Sequence, residues 1–294
     1  MAQGEKESGE LARYCRPSGP GGRLRPRKEL GQHFLVDRGI VDKILASARL
    51  GRSDVVLEVG PGHGALTIPL ARRVSHVVAV EKDLRLVEAL QKKLLGLGIS
   101  NVTLLNQDIL RFDFSGIRTR DKIQVVGNIP YNISSPLLEK VIGQRGVVAR
   151  AVLMFQLEVA RRLTSGPGTK SYGAMTLLVR YHAACTPLLT VTRKAFYPPP
   201  KVDSMVVELD LERPFPARGV SDDQFRRVVR GAFSHRRKTI VNSMRGFFPS
   251  WTRDILVQRM KACGIDPGSR AESLHMDQFL RLARALVIDK NATG

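Results

Sequence analysis

The sequence predicts an α/β protein, in which a doubly wound, mostly parallel β-sheet with an antiparallel strand is followed by a small all-α domain. From Asp54 onward, short apolar runs rich in β-branched residues alternate with helix-like patterns. Continuous apolar runs of this kind are typical of strands buried on both faces of a parallel sheet. Beyond Ser221 the strand-like runs stop and amphipathic patterns remain, which indicates a second domain made of helices.

The predicted elements of the first domain follow a β-α-β order. Predicted strands cover residues 55–59, 76–81, 102–106, 123–127 and 151–155. Predicted helices, in which apolar residues recur every three or four positions, cover residues 65–73, 84–98 and 134–143. Two later strand-like runs flank Pro198, Pro199 and Pro200. Because prolines in a row force an extended connection, we expect these runs to form an antiparallel pair that completes the sheet.

The rest of the chain divides by composition. Residues 1–28 contain a stretch rich in glycine, proline and arginine, which predicts a flexible basic N-terminal arm. Residues 213–220 are a predicted linker, and helices are predicted over 223–233, 253–264 and 276–288. We therefore expect a first domain over 29–213 and a helical C-terminal domain over 214–294.

The charge of the chain is strongly unbalanced. Its 294 residues include 47 lysines and arginines against 27 aspartates and glutamates, a formal net charge of +20. This excess favours a polyanionic partner, and nucleic acid is favoured over membrane because no apolar run reaches the roughly 18 to 20 residues of a spanning helix. Three distant cysteines without metal-ligand spacing predict reduced thiols, no metal and a cytoplasmic location.

Glycines at alternate positions follow the first predicted strand. Gly60, Gly62 and Gly64 stand before a predicted helix, where they allow a sharp turn and the close approach of a ligand. Glu81 ends the second strand about twenty residues later, where its carboxylate can accept hydrogen bonds from a ribose. The combination indicates a cofactor that contains adenosine. It leaves nicotinamide dinucleotides and S-adenosylmethionine (SAM) both open.

The third predicted strand ends close to Asp108 and Ile109. Asp108 is placed to accept a hydrogen bond from an adenine amino group, with Ile109 beside the ring. The alternative role for Asp108 is to cap a turn or helix. Since open α/β sheets bind ligands at the carboxyl ends of their strands, the signals at three successive strand ends support one another.

The fourth strand ends in Asn128-Ile129-Pro130-Tyr131. If SAM is the cofactor, the Asn128 side-chain oxygen and the Ile129 carbonyl could each accept one hydrogen of an adenine amine and so aim its lone pair at the methyl group. Pro130 would fix the carbonyl direction, and the extruded base could stack on Tyr131. Phe196 could supply a second aromatic face, with Tyr197 as a substitute. Core or loop packing is the alternative for both rings.

These motifs resemble those of the ribosomal RNA adenine N6-dimethyltransferase family of the KsgA type. The resemblance extends from about residue 30 to 288, and rests on the segments GQHFLVD (31–37), EVGPGHGALT (58–67), NQDIL (106–110), GNIPYNISSP (127–136) and FYPPPKVDSMVV (196–207). It implies a Rossmann-like SAM-dependent methyltransferase sheet and a helical RNA-binding domain. It also implies two methyl transfers to N6 of each of two adjacent adenosines near the 3′ end of small-subunit (16S) rRNA, on the assembling 30S subunit, by a monomer.

The resemblance assigns roles to individual residues. Cofactor contacts are implied for His33, Leu35, Gly60, Gly62, Glu81, Asp108 and Asn128. His33 stands where many members of the family have asparagine. The target base is implied to be handled by Asn128, Ile129, Pro130, Tyr131 and Phe196.

Contacts with RNA are expected in the helical domain. Arg236, Arg237 and Lys238 belong to its densest basic stretch, which could form a helical face that follows phosphates. A merely solvated charged surface is the alternative. The loop 165–171 is a weaker candidate, because its glycines suggest mobility near the target.

Two other functions remain open at this point. Methylases of the Erm type, which act on large-subunit rRNA, share the NIPYNIS motif, although PPPKVDSMVV (198–207) and FSHRRKTIVNSM (233–244) favour the small-subunit enzyme. A ribosome-assembly or nucleic-acid-binding factor with an idle methylase site is the other alternative. The intact Glu81, Asp108 and Asn128 argue against an idle site.

Overall fold

The computed structural model describes residues 24–216, 219–249 and 251–286. Most of the predicted basic arm over 1–28, and the chain after residue 286, lie outside the described residues. The contacts between residues divide the chain into two compact units. Within the described ranges, the first unit comprises residues 24–160 and 186–212, and the second comprises residues 161–185 and 213–286.

A seven-stranded sheet forms the centre of the first unit. Its strands are β2 (Val55–Val59), β3 (His76–Glu81), β4 (Val102–Asn106), β5 (Ile123–Asn128), β6 (Val148–Gln156), β7 (Ala184–Val191) and β9 (Ser204–Asp210). They are arranged in the order β4-β3-β2-β5-β6-β9-β7. The pairs from β4 to β6 are parallel, and β6 pairs with β9 in the antiparallel direction. The predicted mostly parallel sheet with an antiparallel strand is therefore confirmed.

Helices and a short ribbon accompany this sheet. The helices of the first unit are α1 (Arg38–Ala48), α2 (Thr67–Ala71), α3 (Leu84–Gly96) and α4 (Ser134–Gly143). The ribbon consists of β1 (Phe34–Leu35) and β8 (Phe196–Tyr197), which pair in the antiparallel direction. The peptide bond between Tyr197 and Pro198 is cis.

The central strands are covered on both faces. Val56 and Leu57 of β2 are adjacent in sequence, point to opposite faces, and are both fully buried. Val125 and Val126 of β5 are buried in the same way. Each such side chain contributes roughly 1.5–3 kcal/mol by leaving water. Continuous burial explains why these strands have unbroken apolar sequences. Because the strands are held on both faces, the loops at their carboxyl ends start from fixed positions.

The second unit is helical. Its helices are α5 (Leu157–Thr164, which begins in the first unit), α6 (Ala174–Arg180), α7 (Asp222–Ala232), α8 (Ile240–Phe247), α9 (Arg253–Ala262) and α10 (Met276–Ala285). It has a core of its own, which includes Phe225, Met244 and Phe279. Residues 161–185 were predicted to belong to the first domain, whereas the structure groups them with the helical unit. The physical reason is that Tyr181 is fully buried and stacks on Phe225 with ring centroids 4.3 Å apart.

Candidate active site

A pocket lies at the carboxyl ends of β2, β3, β4 and β5. Its walls include almost every residue that the sequence analysis selected for cofactor and catalysis. These are His33, Leu35, Gly60, Gly62, Glu81, Asp108, Asn128, Ile129, Pro130 and Tyr131. Residues from Gly60 to Asn128 are brought together because parallel strands end at the same edge of the sheet, and the segment before β1 adds His33.

The glycine loop after β2 passes close to neighbouring side chains. Gly60, Gly62 and Gly64 have φ angles of +66°, +55° and +83°, which lie in the region that glycine adopts without strain. A Cβ at Gly62 would lie 3.1 Å from the Phe34 ring, which itself lines the pocket. The loop thus forms a narrow cradle for a ligand. The distance between the loop and the Phe34 ring is possible only because Gly62 has no side chain.

Glu81 ends β3 inside the pocket and is 8% exposed. Its carboxylate accepts hydrogen bonds from the backbone N–H groups of Gly62, at 3.2 Å, and Asp83, at 2.9 Å. Burial raises the pKa of Glu81, and these two N–H donors oppose that rise. The bonds hold the carboxylate in place against the glycine loop. Its oxygens keep further lone pairs that can accept hydrogen bonds from a ligand.

Asp108 lines the pocket after β4 and also has local partners. One carboxylate oxygen accepts from the Leu110 N–H at 2.9 Å, and the other lies 2.9 Å from Lys82 Nζ. The Lys82 ammonium is the largest cause of the lowered pKa of Asp108. The residue therefore caps a turn, as the alternative interpretation proposed, and it also faces the pocket.

The Asn128 side chain has a determined orientation. Its Nδ2 donates to the backbone carbonyl of His33 at 2.8 Å. A carbonyl oxygen only accepts, so the reversed amide would set two oxygens against each other. The orientation leaves Asn128 Oδ1 as the acceptor at this point of the pocket. The position of this acceptor therefore depends on two elements. Strand β5 carries Asn128, and the segment before β1 supplies the His33 carbonyl that fixes the orientation of the Asn128 amide.

Tyr131 begins a short 3₁₀ turn between β5 and α4. Its hydroxyl hydrogen-bonds with that of Ser204, which is fully buried, at 3.0 Å. The His33 ring stacks beside it with centroids 5.6 Å apart and planes at 30°. The Ser134 hydroxyl donates to the Tyr131 carbonyl at 3.2 Å. These contacts restrain the Tyr131 ring.

Phe196 is placed differently from the other predicted residues. It is not among the residues that line the pocket, and at 4% exposure it packs in the core of the first unit. Its strand partner Leu35 does line the pocket. The neighbouring Tyr197 is 46% exposed. A role for Phe196 against the target base stays a prediction.

Glu58 and Gln32 also line the pocket, although neither was singled out from the sequence. Glu58 is 1% exposed, and burial raises its pKa to about 8. Its Oε2 has no hydrogen-bond partner among the described residues, although Thr67 lies nearby. Gln32 donates from Nε2 to Asp83 at 3.2 Å and so ties the segment before β1 to the end of β3. A charged residue inside the apolar run VVLEV was the available signal for Glu58.

The predicted RNA-binding residues lie in the helical unit. Arg236, Arg237 and Lys238 are exposed, but they occupy the turn between α7 and α8 and not a helical face. Arg236 donates to the Lys170 carbonyl at 2.6 Å, and the Gly168 N–H donates to the Glu272 carbonyl at 2.8 Å. The loop 165–171 is therefore bound to its own unit by two hydrogen bonds.

The described residues contain no group of three or more histidine, cysteine, aspartate or glutamate side chains placed to hold a metal ion. They also contain no helix that is long and apolar enough to cross a membrane.

The sequence and the fold are similar to those of known rRNA methyltransferases. Proteins named ribosomal RNA small subunit methyltransferase A are 43% identical over 271 residues in Pelotomaculum thermopropionicum and 41% identical over 261 residues in Nitrosococcus oceani. The matches cover 88% of this chain in both cases, and 91% and 96% of those proteins.

Two solved structures have the same fold over most of their length. A dimethyladenosine transferase from Plasmodium falciparum is 29% identical with a TM-score of 0.74, covering 85% of this chain and 96% of that one. The 23S rRNA methyltransferase ErmE is 28% identical with a TM-score of 0.69, covering 86% and 98%. The family model for ribosomal RNA adenine dimethylase matches residues 23–287. The chain therefore belongs to the ribosomal RNA adenine dimethylase family.

Proposed function

We propose that this protein is a SAM-dependent enzyme that dimethylates N6 of two adjacent adenosines near the 3′ end of small-subunit rRNA. The observation that carries the proposal is the Asn128 amide, whose nitrogen is held by the His33 carbonyl so that its oxygen remains to accept from a substrate amine. Such an acceptor, set beside a cradle for an adenosine cofactor, is what an adenine N6-methyltransferase requires.

The pocket fits SAM. The narrow glycine cradle admits a ligand close to the backbone, and the fixed Glu81 carboxylate is oriented to receive ribose hydroxyls. Asp108 and the buried Ile109 are available for the adenine. The buried Glu58 carboxyl lies in the same wall. When bound, SAM supplies an electrophilic methyl group on a positively charged sulfur.

Residues of this chain would prepare the amine for attack. The N6 lone pair of adenine is delocalised into the ring, so the nitrogen must be held out of plane to react. Asn128 Oδ1 and the Ile129 carbonyl each accept one N6 hydrogen and stabilise the positive charge that develops on nitrogen. SAM would supply the methyl group and keep the sulfur as a neutral thioether, and the proton displaced from N6 would pass to solvent. Tyr131 stacks on the extruded base.

The small subunit is favoured over the large subunit as the substrate. Relatives about 40% identical over most of the chain are named small-subunit methyltransferases, whereas the 23S rRNA methyltransferase ErmE is 28% identical. The intact pocket disfavours an idle methylase site. The assembling 30S subunit as the substrate, a monomeric enzyme without metal, a cytoplasmic location and phosphate contacts by Arg236, Arg237 and Lys238 are parts of the same proposal.

The test uses purified protein, labelled SAM and 30S subunits that lack the modification. Label is expected as dimethyladenosine at two adjacent positions, and Asn128→Ala is expected to lower kcat by at least about 100-fold, because one alignment contact and its charge support are lost. Binding of 30S subunits should change little. Asn128→Asp should be as inactive as Asn128→Ala, since a carboxylate cannot donate to the His33 carbonyl.

Controls separate the alternatives. Large-subunit rRNA, tested as 50S subunits under the same conditions, should stay unlabelled. Label on 50S subunits would favour the Erm-type function, and binding of 30S subunits without any methyl transfer would favour the assembly factor.

A further inference from the structure

The connection from β7 to β9 follows the edge of the candidate active site. We name its residues 192–202 the rim strap. Tyr197 of the strap pairs with Phe34, and the Pro198 carbonyl accepts from His33 Nδ1 at 2.8 Å. Phe34 and His33 both line the pocket. The strap is therefore joined to the wall of the pocket by backbone pairing and by a side-chain hydrogen bond.

The two aromatic residues of the strap have opposite exposures. Phe196 is 4% exposed and belongs to the core, whereas Tyr197 is 46% exposed. Side chains that are directly opposed across an antiparallel pair lie on the same face of the ribbon. Tyr197 therefore shares the face of Phe34, whose ring borders the glycine loop. A large aromatic ring is thus exposed to solvent directly opposite a residue that lines the pocket.

The strap is held in one conformation. Pro198, Pro199 and Pro200 each fix one backbone torsion. The Arg193 N–H donates to Asp203 at 2.9 Å. An aromatic surface that is already ordered loses little entropy when a ligand stacks on it.

The exposed charges of the strap are all positive. Arg193, Lys194 and Lys201 are exposed, and none of them pairs with a carboxylate within the part of the chain that the structure describes. Exposed cations interleaved with an aromatic ring are the pattern of surfaces that bind single-stranded nucleic acid, in which bases stack and phosphates are neutralised.

We infer that the rim strap binds the nucleotides that flank the target adenosine, with Tyr197 stacking on a neighbouring base and Arg193, Lys194 and Lys201 contacting phosphates. The inference rests on the proposed function and adds a substrate-binding surface to it. An adenosine that leaves its stack exposes its neighbours, so a ready stacking surface at the rim offsets part of the cost of extrusion.

The first experiment substitutes Tyr197 and measures methylation of unmodified 30S subunits. Tyr197→Ala should raise KM about tenfold, a loss typical of one base-stacking contact. Its kcat should stay unchanged, because a flanking base is bound equally in the ground state and the transition state. Tyr197→Phe keeps the ring and should retain the parent KM.

The second experiment measures 30S binding as a function of KCl concentration. The triple substitution Arg193→Gln, Lys194→Gln and Lys201→Gln should reduce the slope of log affinity against log salt by about 2 to 3. The matched control replaces the exposed Arg118, Arg120 and Lys122 with glutamine, at the opposite end of β5 from the pocket. This control variant loses three positive charges, as the strap variant does, and should keep most of the parent's slope of log affinity against log salt.

The outcomes separate the strap from the proposed function. An unchanged KM for Tyr197→Ala, or equal salt slopes for the two triple variants, would overturn the inference that the rim strap binds RNA. Methylation of 30S subunits by the parent protein would in that case still support the proposed function. A fall in kcat for Tyr197→Ala would place the ring against the target base instead and would also overturn the inference. If the parent protein methylated nothing, the proposed function would fail, and the binding slopes would still decide the strap.

Discussion

At the scale of single residues, Glu58 has an ionisation that opposes folding. Burial raises its pKa to about 8, whereas the ordinary value is 4.5. The native state therefore keeps a proton that the unfolded chain releases between these two values, and the free energy of unfolding falls as the pH rises through that window. One pKa unit corresponds to about 1.4 kcal/mol, so the loss amounts to at most about 5 kcal/mol.

Glu58→Gln should remove this pH dependence. The neutral amide has nearly the same shape, so the melting temperature of the variant should exceed that of the parent at pH 8.5 by several degrees more than at pH 5. Thermal unfolding without SAM measures the difference. Glu88→Gln is the control, because Glu88 is exposed on α3. If the melting temperatures of Glu58→Gln and the parent differed by the same amount at both pH values, the prediction would be contradicted.

The hydroxyl pair of Tyr131 and Ser204 should act as one unit. Ser204 is fully buried, and its hydrogen bond to Tyr131 restrains the ring on which the target base is proposed to stack. Ser204→Ala and Tyr131→Phe should each lower kcat/KM about fivefold, and the double variant should be no worse than either alone. A steady-state assay of all four proteins completes the cycle. Effects that multiply in the double variant would show that the hydroxyls act independently.

At the scale of elements, the contact between β2 and β5 sets the position of Asn128. Gly127 precedes Asn128, and a Cβ at this glycine would lie 2.8 Å from the Val59 carbonyl oxygen and 3.0 Å from Val59 Cβ. Backbone atoms of a central strand have little room to move. The absence of a side chain at Gly127 therefore allows the two strands that carry the glycine loop and Asn128 to approach each other.

Gly127→Ala should consequently damage both stability and catalysis. Forcing the strands apart should cost about 1–3 kcal/mol of folding free energy, and the displaced Asn128 should lower kcat by about 100-fold. Gly146→Ala is the control, because a Cβ there would meet nothing within 4 Å. Denaturant unfolding and methyl-transfer assays measure the two effects. A variant with the parent's kcat would show that the strands accommodate the methyl group.

The elements differ in how far the sequence could predict them. The strand 55–59 and the helix 134–143 were predicted with their observed bounds, because continuous burial and helical periodicity are local signals. The two-residue ribbon of β1 and β8 could not be predicted, since it depends on pairing between residues more than 160 positions apart. The basic residues 236–238 were predicted to lie on a helical face, but they lie in a turn. Thr239 follows this exposed turn and precedes α8.

The same limit applies to the candidate site. Asn128, Glu81 and Asp108 were found because each ends a recognisable strand or lies two residues beyond its end. The hydrogen bonds that hold the site, from Asn128 to the His33 carbonyl and between Tyr131 and Ser204, join distant segments and could not be predicted from either segment alone. Alternation in a two-residue strand also gave no basis for deciding that Phe196 is buried and Tyr197 exposed.

At the scale of the whole molecule, two units have separate cores, and the chain passes between them more than once. Residues 161–185 leave the first unit, complete the core of the helical unit, and are followed by strands of the sheet. Tyr172, Leu177 and Tyr181 are at most 5% exposed in that core. The helical unit is therefore built from two separate segments of the chain, although the sequence pattern indicated a single C-terminal domain.

The fragment 214–294 alone should consequently fail to fold. It lacks Tyr172, Leu177 and Tyr181, and loss of each buried side chain costs roughly 3 kcal/mol, so the sum of about 9 kcal/mol is comparable with the whole stability of a small domain. Circular dichroism should show weak helicity and no cooperative thermal transition. A fragment in which 161–185 is joined by a flexible linker to 213–294 should recover both. Cooperative unfolding of 214–294 by itself would establish that the unit is autonomous from residue 214 onward, and that Tyr181 packs on a core already complete without it.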